Sequence, residues 1–225
     1  MIFLIRHGES EANVGLPTCR PECGGLTQRG REQARAIAAF LRVYPPDFIM
    51  TSPYIRARET LEAALSVLPD TAREVPVEEV PSVREFTYLA PGRWKYSTIE
   101  ERRPEVDRYW QDAEPDSVDG PGAESFRMFI KRVSSFLEQV REMEKEYENI
   151  AVFSHEQFIN AVLWLKDHTP EEVSSQAMQD FRTLLDRKLV QNGVIVQLKY
   201  SNHDGCWKPE AITWHLKADA LVATD

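Results

Sequence analysis

Cysteine is scarce in this chain. Cys19, Cys23 and Cys206 are the only three in 225 residues, an odd number with neither a zinc spacing nor a Cys-x-x-Cys pair, which predicts reduced thiols of no special role. Basic residues are in deficit too. The formal net charge of −9 argues against nucleic acid as a general partner, because such binding rests on neutralising phosphates with Lys and Arg. A small anionic substrate is still allowed, since a few arginines focused in a low-dielectric cleft dominate the local potential whatever the total. No apolar run approaches the length of a membrane span, and the apolar start is too short and lacks the basic flank of a signal peptide. A cytoplasmic protein with no membrane partner is therefore expected. His-x-x-x-His and Asp-rich loop signatures are missing as well, so no metal or other cofactor is expected and positive charge at a site must come from side chains. Repeats and low-complexity tracts are absent, which predicts a single domain over 1–225.

What is present begins at Ile2-Phe3-Leu4-Ile5, an apolar run that fits a buried strand and changes abruptly into Arg6-His7-Gly8-Glu9. In open α/β sheets ligands bind beyond the carboxyl ends of parallel strands, so Arg6 and His7 stand where chemistry is normally done. Thr27 is a plausible N-cap for a helix carrying Ala34, Ile37, Ala38 and Leu41 at helical spacing. That helix stops before Pro45-Pro46, and Asp47 to Thr51 reads as a strand parallel to the first, completing a βαβ unit. Ser52 then fits an N-cap and Pro53 the first position of a helix to about Leu68, which aims Arg56 back at the strand end.

Val75 to Val83 is extended and broken by Pro76 and Pro81, as in an edge strand or loop, and Arg84-Glu85-Phe86 follows. The stretch from Thr87 to Ala123 is rich in Pro, Gly and charge, with a short helix expected where Thr98 and Glu101 are spaced as a capping box. So irregular a segment inside a compact domain is expected to act as a lid or insertion at about 87–123. Phe126, Phe129, Ile130, Val133, Leu137, Val140 and Met143 mark a long amphipathic helix. Asn149 to Phe153 is a second buried strand and also ends in a site-like cluster, Ser154-His155-Glu156-Gln157, in which Ser154 and Gln157 are spaced as a capping box. Val194 to Leu198 and Trp207 to Thr213 read as strands joined by a hairpin loop, and His168, His203 and His215 read as surface residues.

Two strand-end histidines, two arginines and a carboxylate are the set that phosphoryl transfer asks for: a nucleophile, positive groups around the equatorial oxygens and an acid for the leaving oxygen. The sequence resembles the histidine phosphatase superfamily, the phosphoglycerate-mutase-like proteins. The resemblance is carried by Leu4 to Ser10 with Asn13, by Leu26-Thr27 with Gly30 and Gln33-Ala34, and by Ser52-Pro53 with Arg56-Ala57 and Glu59-Thr60. Gly122 to Ser125 matches loosely and Phe153-Ser154-His155 closes the set, in family order over most of the chain.

The resemblance implies an α/β fold, a three-layer αβα sandwich with a mostly parallel central sheet, and a metal-independent phosphohistidine mechanism acting on a small phosphorylated metabolite. It assigns His7 as nucleophile, Arg6, Arg56 and His155 as the phosphate pocket, and Asn13 as a further ligand. Glu85 lies where the family has its proton donor, but its surroundings depart from the family pattern, so Glu78 and Glu79 remain rivals. Glu156 stands where the family usually has glycine. A phosphatase is the first expectation, a phosphoglycerate-type mutase the second, and a phosphate-binding or interaction module without turnover the third.

Overall fold

A computed structural model describes residues 1–70, 74–201, 203–213 and 215–216. Six strands form one sheet in the order β3-β2-β4-β1-β5-β6. They are β1 (Ile2–Arg6), β2 (Phe48–Thr51), β3 (Val77–Glu79), β4 (Ile150–Ser154), β5 (Ile195–Ser201) and β6 (Cys206–Ile212). The first four run parallel, and β5 and β6 add an antiparallel hairpin beside β1. Alternation along the central strands feeds two cores. Phe3, Ile5, Ala151 and Phe153 point to one face, against Ile37, Phe40 and Leu41 of α1 (Gln28–Val43) and Leu61 and Ala64 of α2 (Ile55–Ser66). Ile2, Leu4, Ile150 and Val152 point to the other. That face is covered by α4 (Phe126–Met143), α5 (Glu156–Trp164) and α6 (Ser175–Asp186), with α3 (Ile99–Asp112) outside α6. The result is the expected three-layer αβα sandwich.

Because the chain leaves β1 toward α1 on one face and β4 toward α5 on the other, a crevice opens between the carboxyl ends of these adjacent strands. Their register pairs Arg6 with Ser154, so the next residues, His7 and His155, emerge side by side. Gly30, in the first turn of α1, lets that helix press on the loop after β1, where an added Cβ would lie 1.9 Å from the Glu9 carbonyl oxygen.

Several local expectations change. The helix after β2 starts at Ile55 with Tyr54 as its cap, later than the expected start at Ser52, whose hydroxyl accepts from the Tyr54 N–H at 3.3 Å and meets His155 Nε2 at 2.7 Å. Ser154 does not cap α5 either. Its hydroxyl donates to the Val83 carbonyl at 2.7 Å, and the helix is capped from outside by the Glu85 carboxylate. His215 is buried, with Nε2 2.8 Å from the Gly193 carbonyl, and not a surface residue. Cys19 and Cys23 form a disulfide, contrary to the reading of three reduced thiols. Four residues apart on a tight loop, they lie close enough to pair, with Cα atoms 6.1 Å apart. Among the described residues no helix is long and apolar enough to cross a membrane.

Candidate active site

His7 follows the last residue of β1 and is buried, with its backbone N–H donating to the Ser154 carbonyl at 3.1 Å. Its ring is fixed from both sides. Nδ1 lies 2.6 Å from the Gly8 carbonyl, which only accepts, and Nε2 takes a 3.0 Å hydrogen bond from Nε of Arg56, which only donates. Both contacts demand the same tautomer, with the proton on Nδ1 and a lone pair on Nε2. Burial, reinforced by Arg56 and Arg6, holds the His7 pKa well below the ordinary histidine range, so the ring is neutral.

Arg56 sits in the first turn of α2, and its NH1 donates to the Pro21 carbonyl at 2.5 Å while the guanidinium lies over the Tyr54 ring. Thr60, one turn along α2, ties this helix to the histidine loop: its hydroxyl donates to the Arg56 carbonyl and accepts from the Gly8 N–H. Arg6 is buried at the end of β1, with NH1 donating to the Val190 carbonyl at 2.5 Å and NH2 paired to Glu156 at 2.8 Å.

His155 is fully buried, with its ring centroid 5.2 Å from that of His7. Its Nε2 lies 2.7 Å from the Ser52 hydroxyl, while Nδ1 has no hydrogen-bond partner among the described residues. Burial, then Arg56, His7, Arg6 and Arg132 in order of weight, hold its pKa well below the ordinary range too. Burial and the neighbouring cations thus disfavour the imidazolium expected to steady a phosphate.

Glu85 lies at the start of α5, near enough to Arg56 for the two charges to act on each other. Its carboxylate accepts from the backbone N–H groups of Phe86 at 3.0 Å, Phe158 at 3.2 Å and Gln157 at 3.4 Å. Those bonds and Arg56 favour the ionised form, but burial is the largest influence and, aided by Glu156, leaves the pKa raised. The rivals lie elsewhere. Glu78 and Glu79 are on the exposed edge strand β3, where Glu79 pairs with Arg58. Asn13 is exposed at the rim, its Oδ1 accepting from the Ser10 backbone N–H, the Ser10 hydroxyl and Asn192 Nδ2.

Sequence reasoning missed Ser52 as the partner of His155, Thr60 as the tie between Arg56 and Gly8, and a buried ion cluster behind Glu85. In that cluster Glu124 accepts from Arg132 and Arg84, and Arg132 also donates to the Ser82 and Arg84 carbonyls. Glu124 belongs to the loosely matched Gly122 to Ser125 stretch, the one sequence signal that pointed there.

The family model for the histidine phosphatase superfamily (branch 1) matches residues 2–183. The chain belongs to the histidine phosphatase superfamily. A phosphohistidine intermediate is characteristic of this family, and the chain is a phosphoric monoester hydrolase within it. It is 32% identical over 160 residues to phosphoserine phosphatase 1 of Hydrogenobacter thermophilus, covering 68% of this chain and 70% of that one. With the adenosylcobalamin/alpha-ribazole phosphatase of Escherichia coli K12 it shares 29% identity over 169 residues, 72% of this chain and 76% of the relative. The alpha-ribazole phosphatase structure from Shigella flexneri superposes with a TM-score of 0.71 at 23% identity, over 95% of this chain and 96% of that one, a likeness of fold.

Arg56 and Glu85 face a cavity of about 250 Å3, whose lining does not include His7 or His155. Most of its wall comes from the segment after Glu85: Phe86, Tyr88, Leu89, Trp94, Ile99 and Val106. Arg20 and Arg102 also line it, and NH1 of Arg102 donates to the Ser97 carbonyl and hydroxyl. Two polar atoms of cavity-lining residues, Trp94 Nε1 and Gln157 Oε1, are buried without a partner among the described residues.

Proposed function

We propose that this phosphatase hydrolyses small phosphate monoesters with His7 as nucleophile, Glu85 as general acid and base, and Arg6, Arg56 and His155 around the phosphoryl oxygens. The neutral Nδ1–H tautomer of His7, with its Nε2 lone pair aimed at an arginine, is the observation that carries this reading. An incoming phosphoryl group takes the guanidinium of Arg56 from Nε2, which frees the lone pair to form the N–P bond as the ester P–O bond breaks. Glu85, protonated through its raised pKa, gives its proton to the leaving oxygen. The resulting carboxylate then takes a proton from the water that attacks phosphorus, the N–P bond breaks, and inorganic phosphate departs. The phosphate dianion draws a proton to His155, whose unpartnered Nδ1 donates to it while Ser52 orients the ring.

The leaving group we assign is a largely apolar, ring-bearing alcohol. Its support is the aromatic and aliphatic wall of the cavity. Asn13, with Oδ1 committed as an acceptor, can offer a phosphate only its donor, Nδ2.

The test is a generic aryl phosphate assayed with chelator present, beside 3-phosphoglycerate and its bisphosphate. Phosphate release, with an acid-labile label on protein that His7→Ala abolishes, is expected. Glu85→Gln should slow esters with poor leaving groups most, and equal slowing of good and poor ones removes Glu85 from the acid role. Isomerisation faster than hydrolysis favours the mutase, and absence of both phosphate and label favours a binding module.

A further inference from the structure

Among the described residues, Glu156 is the one carboxylate paired directly with a guanidinium of the proposed phosphate pocket. It occupies the first turn of α5, where the family usually has glycine, and its Oε2 meets NH2 of Arg6 at 2.8 Å. The two ends of the pair are unequal: the arginine side chain is 8% exposed and the glutamate side chain 28%. Arg6 is anchored by its NH1 bond to the Val190 carbonyl, whereas the carboxylate reaches in from the solvent side of a helix start. Nε of Arg6 is buried with no partner among the described residues, a donor that neither Val190 nor Glu156 satisfies.

We propose that Glu156 is a resident competitor for the phosphate pocket: it holds Arg6 while the site is empty and must swing away when a phosphoryl group arrives. The inference rests on the phosphatase reading and on Arg6 as a phosphate ligand. Glu156 supplies one monodentate, singly charged contact, whereas a phosphoryl group brings a dianion with three equatorial oxygens, enough for NH2 and the unmet Nε together. Exchange of the one for the other therefore proceeds, but from a charge-paired starting point. The cost falls on every phosphate species that enters, and most heavily on inorganic phosphate, which has no leaving group to gain from the apolar wall. Glu156 thus acts through Arg6 as a positioning residue. It weakens product retention, and it favours esters whose organic part contributes binding of its own over small polar ones.

The test uses the full chain, with inorganic phosphate as probe. Binding is followed by calorimetry and as competitive inhibition of aryl phosphate turnover, in wild type, Glu156→Gln and Glu156→Asp. Loss of one charge-assisted hydrogen bond corresponds to about a tenfold change in affinity. Glu156→Gln is therefore expected to bind inorganic phosphate about tenfold more tightly and to lower KM for the aryl ester without a matching rise in kcat. Glu156→Asp, which keeps the charge, should stay near wild type. Unchanged or weaker phosphate binding in Glu156→Gln, where wild type binds measurably, overturns the competitor role and leaves the phosphatase reading standing. If no variant and not even wild type binds phosphate, the pocket itself has been misassigned and both readings fall.

Discussion

Arg132→Met is the sharpest test of how the acid is held. Glu124 is 4% exposed, and Arg132 meets its two carboxylate oxygens at 2.5 and 3.1 Å. The same guanidinium donates to the Ser82 carbonyl at 2.6 Å and the Arg84 carbonyl at 3.0 Å, bridging α4 to the turn that carries Glu85. Methionine fills much of the volume and supplies none of these bonds. The carboxylate would keep Arg84 at 3.1 Å, a partner whose side chain is 33% exposed, and the distant Thr87 N–H at 3.4 Å. Breaking a buried pair by removing one partner costs about 3–5 kcal/mol. Against a total stability of about 5–15 kcal/mol that is a large fraction, and in a domain of this size it lowers Tm by roughly 10 °C. Urea unfolding at constant m-value measures the loss, and aryl phosphate turnover should fall with it, because Glu85 lies next to the residue whose carbonyl was released. The double variant Arg132→Met/Glu124→Leu should recover part of the stability, since no charge is then left buried. A single variant within about 1 kcal/mol of wild type, or a double variant that costs the full sum of the two single losses, would refute the argument.

The remaining predictions concern pH and backbone contact. His7 and His155 both have folded pKa values depressed below about 6.5, so the unfolded chain takes up protons that the folded chain refuses, and stability is lost as pH falls through that value. Each histidine costs up to about 1.4 kcal/mol per pH unit in this window. Glu85, whose pKa is raised, works in the opposite sense: its protonation on acidification stabilises the fold and offsets part of the loss. Unfolding free energy should therefore be lower at pH 5.5 than at pH 7, with a shallower slope in His155→Asn, and a flat profile in wild type would contradict neutral imidazoles. Gly30→Ala would put a methyl 1.9 Å from the Glu9 carbonyl oxygen, so α1 or the His7 loop must move. A loss of about 1–3 kcal/mol together with reduced turnover is expected, and an unchanged Tm would show that the contact is slack.

The two central strands were legible because they are short apolar runs that stop at charge: Ile2 to Ile5 before Arg6-His7, and Ile150 to Phe153 before Ser154-His155. The faces of α1 and α4 were legible from their spacing, and the β5–β6 hairpin from its turn residues. Capping was legible at Thr27 and in the Thr98–Glu101 capping box, but not at Ser52 and Ser154, whose hydroxyls reach His155 and the Val83 carbonyl across the fold. The choice among Glu78, Glu79 and Glu85 was equally hidden. Three carboxylates follow one another closely, and only the path of the chain after β3 brings one of them to the start of α5. His215 looked like a terminal surface residue because nothing in its neighbourhood announces the Gly193 carbonyl it meets.

The cavity draws its halves from different parts of the chain. Strand ends and helix starts hold the imidazoles, while Phe86 to Val106 forms most of the wall beside them. The groups that would handle phosphorus and the wall that would face the organic part of an ester thus come from different stretches of the chain. Under the proposed reading, wall residues such as Trp94 and Ile99 can change the fit of an ester without touching the imidazoles, whereas Phe86, stacked on Phe129 and bonded through its N–H to Glu85, serves both.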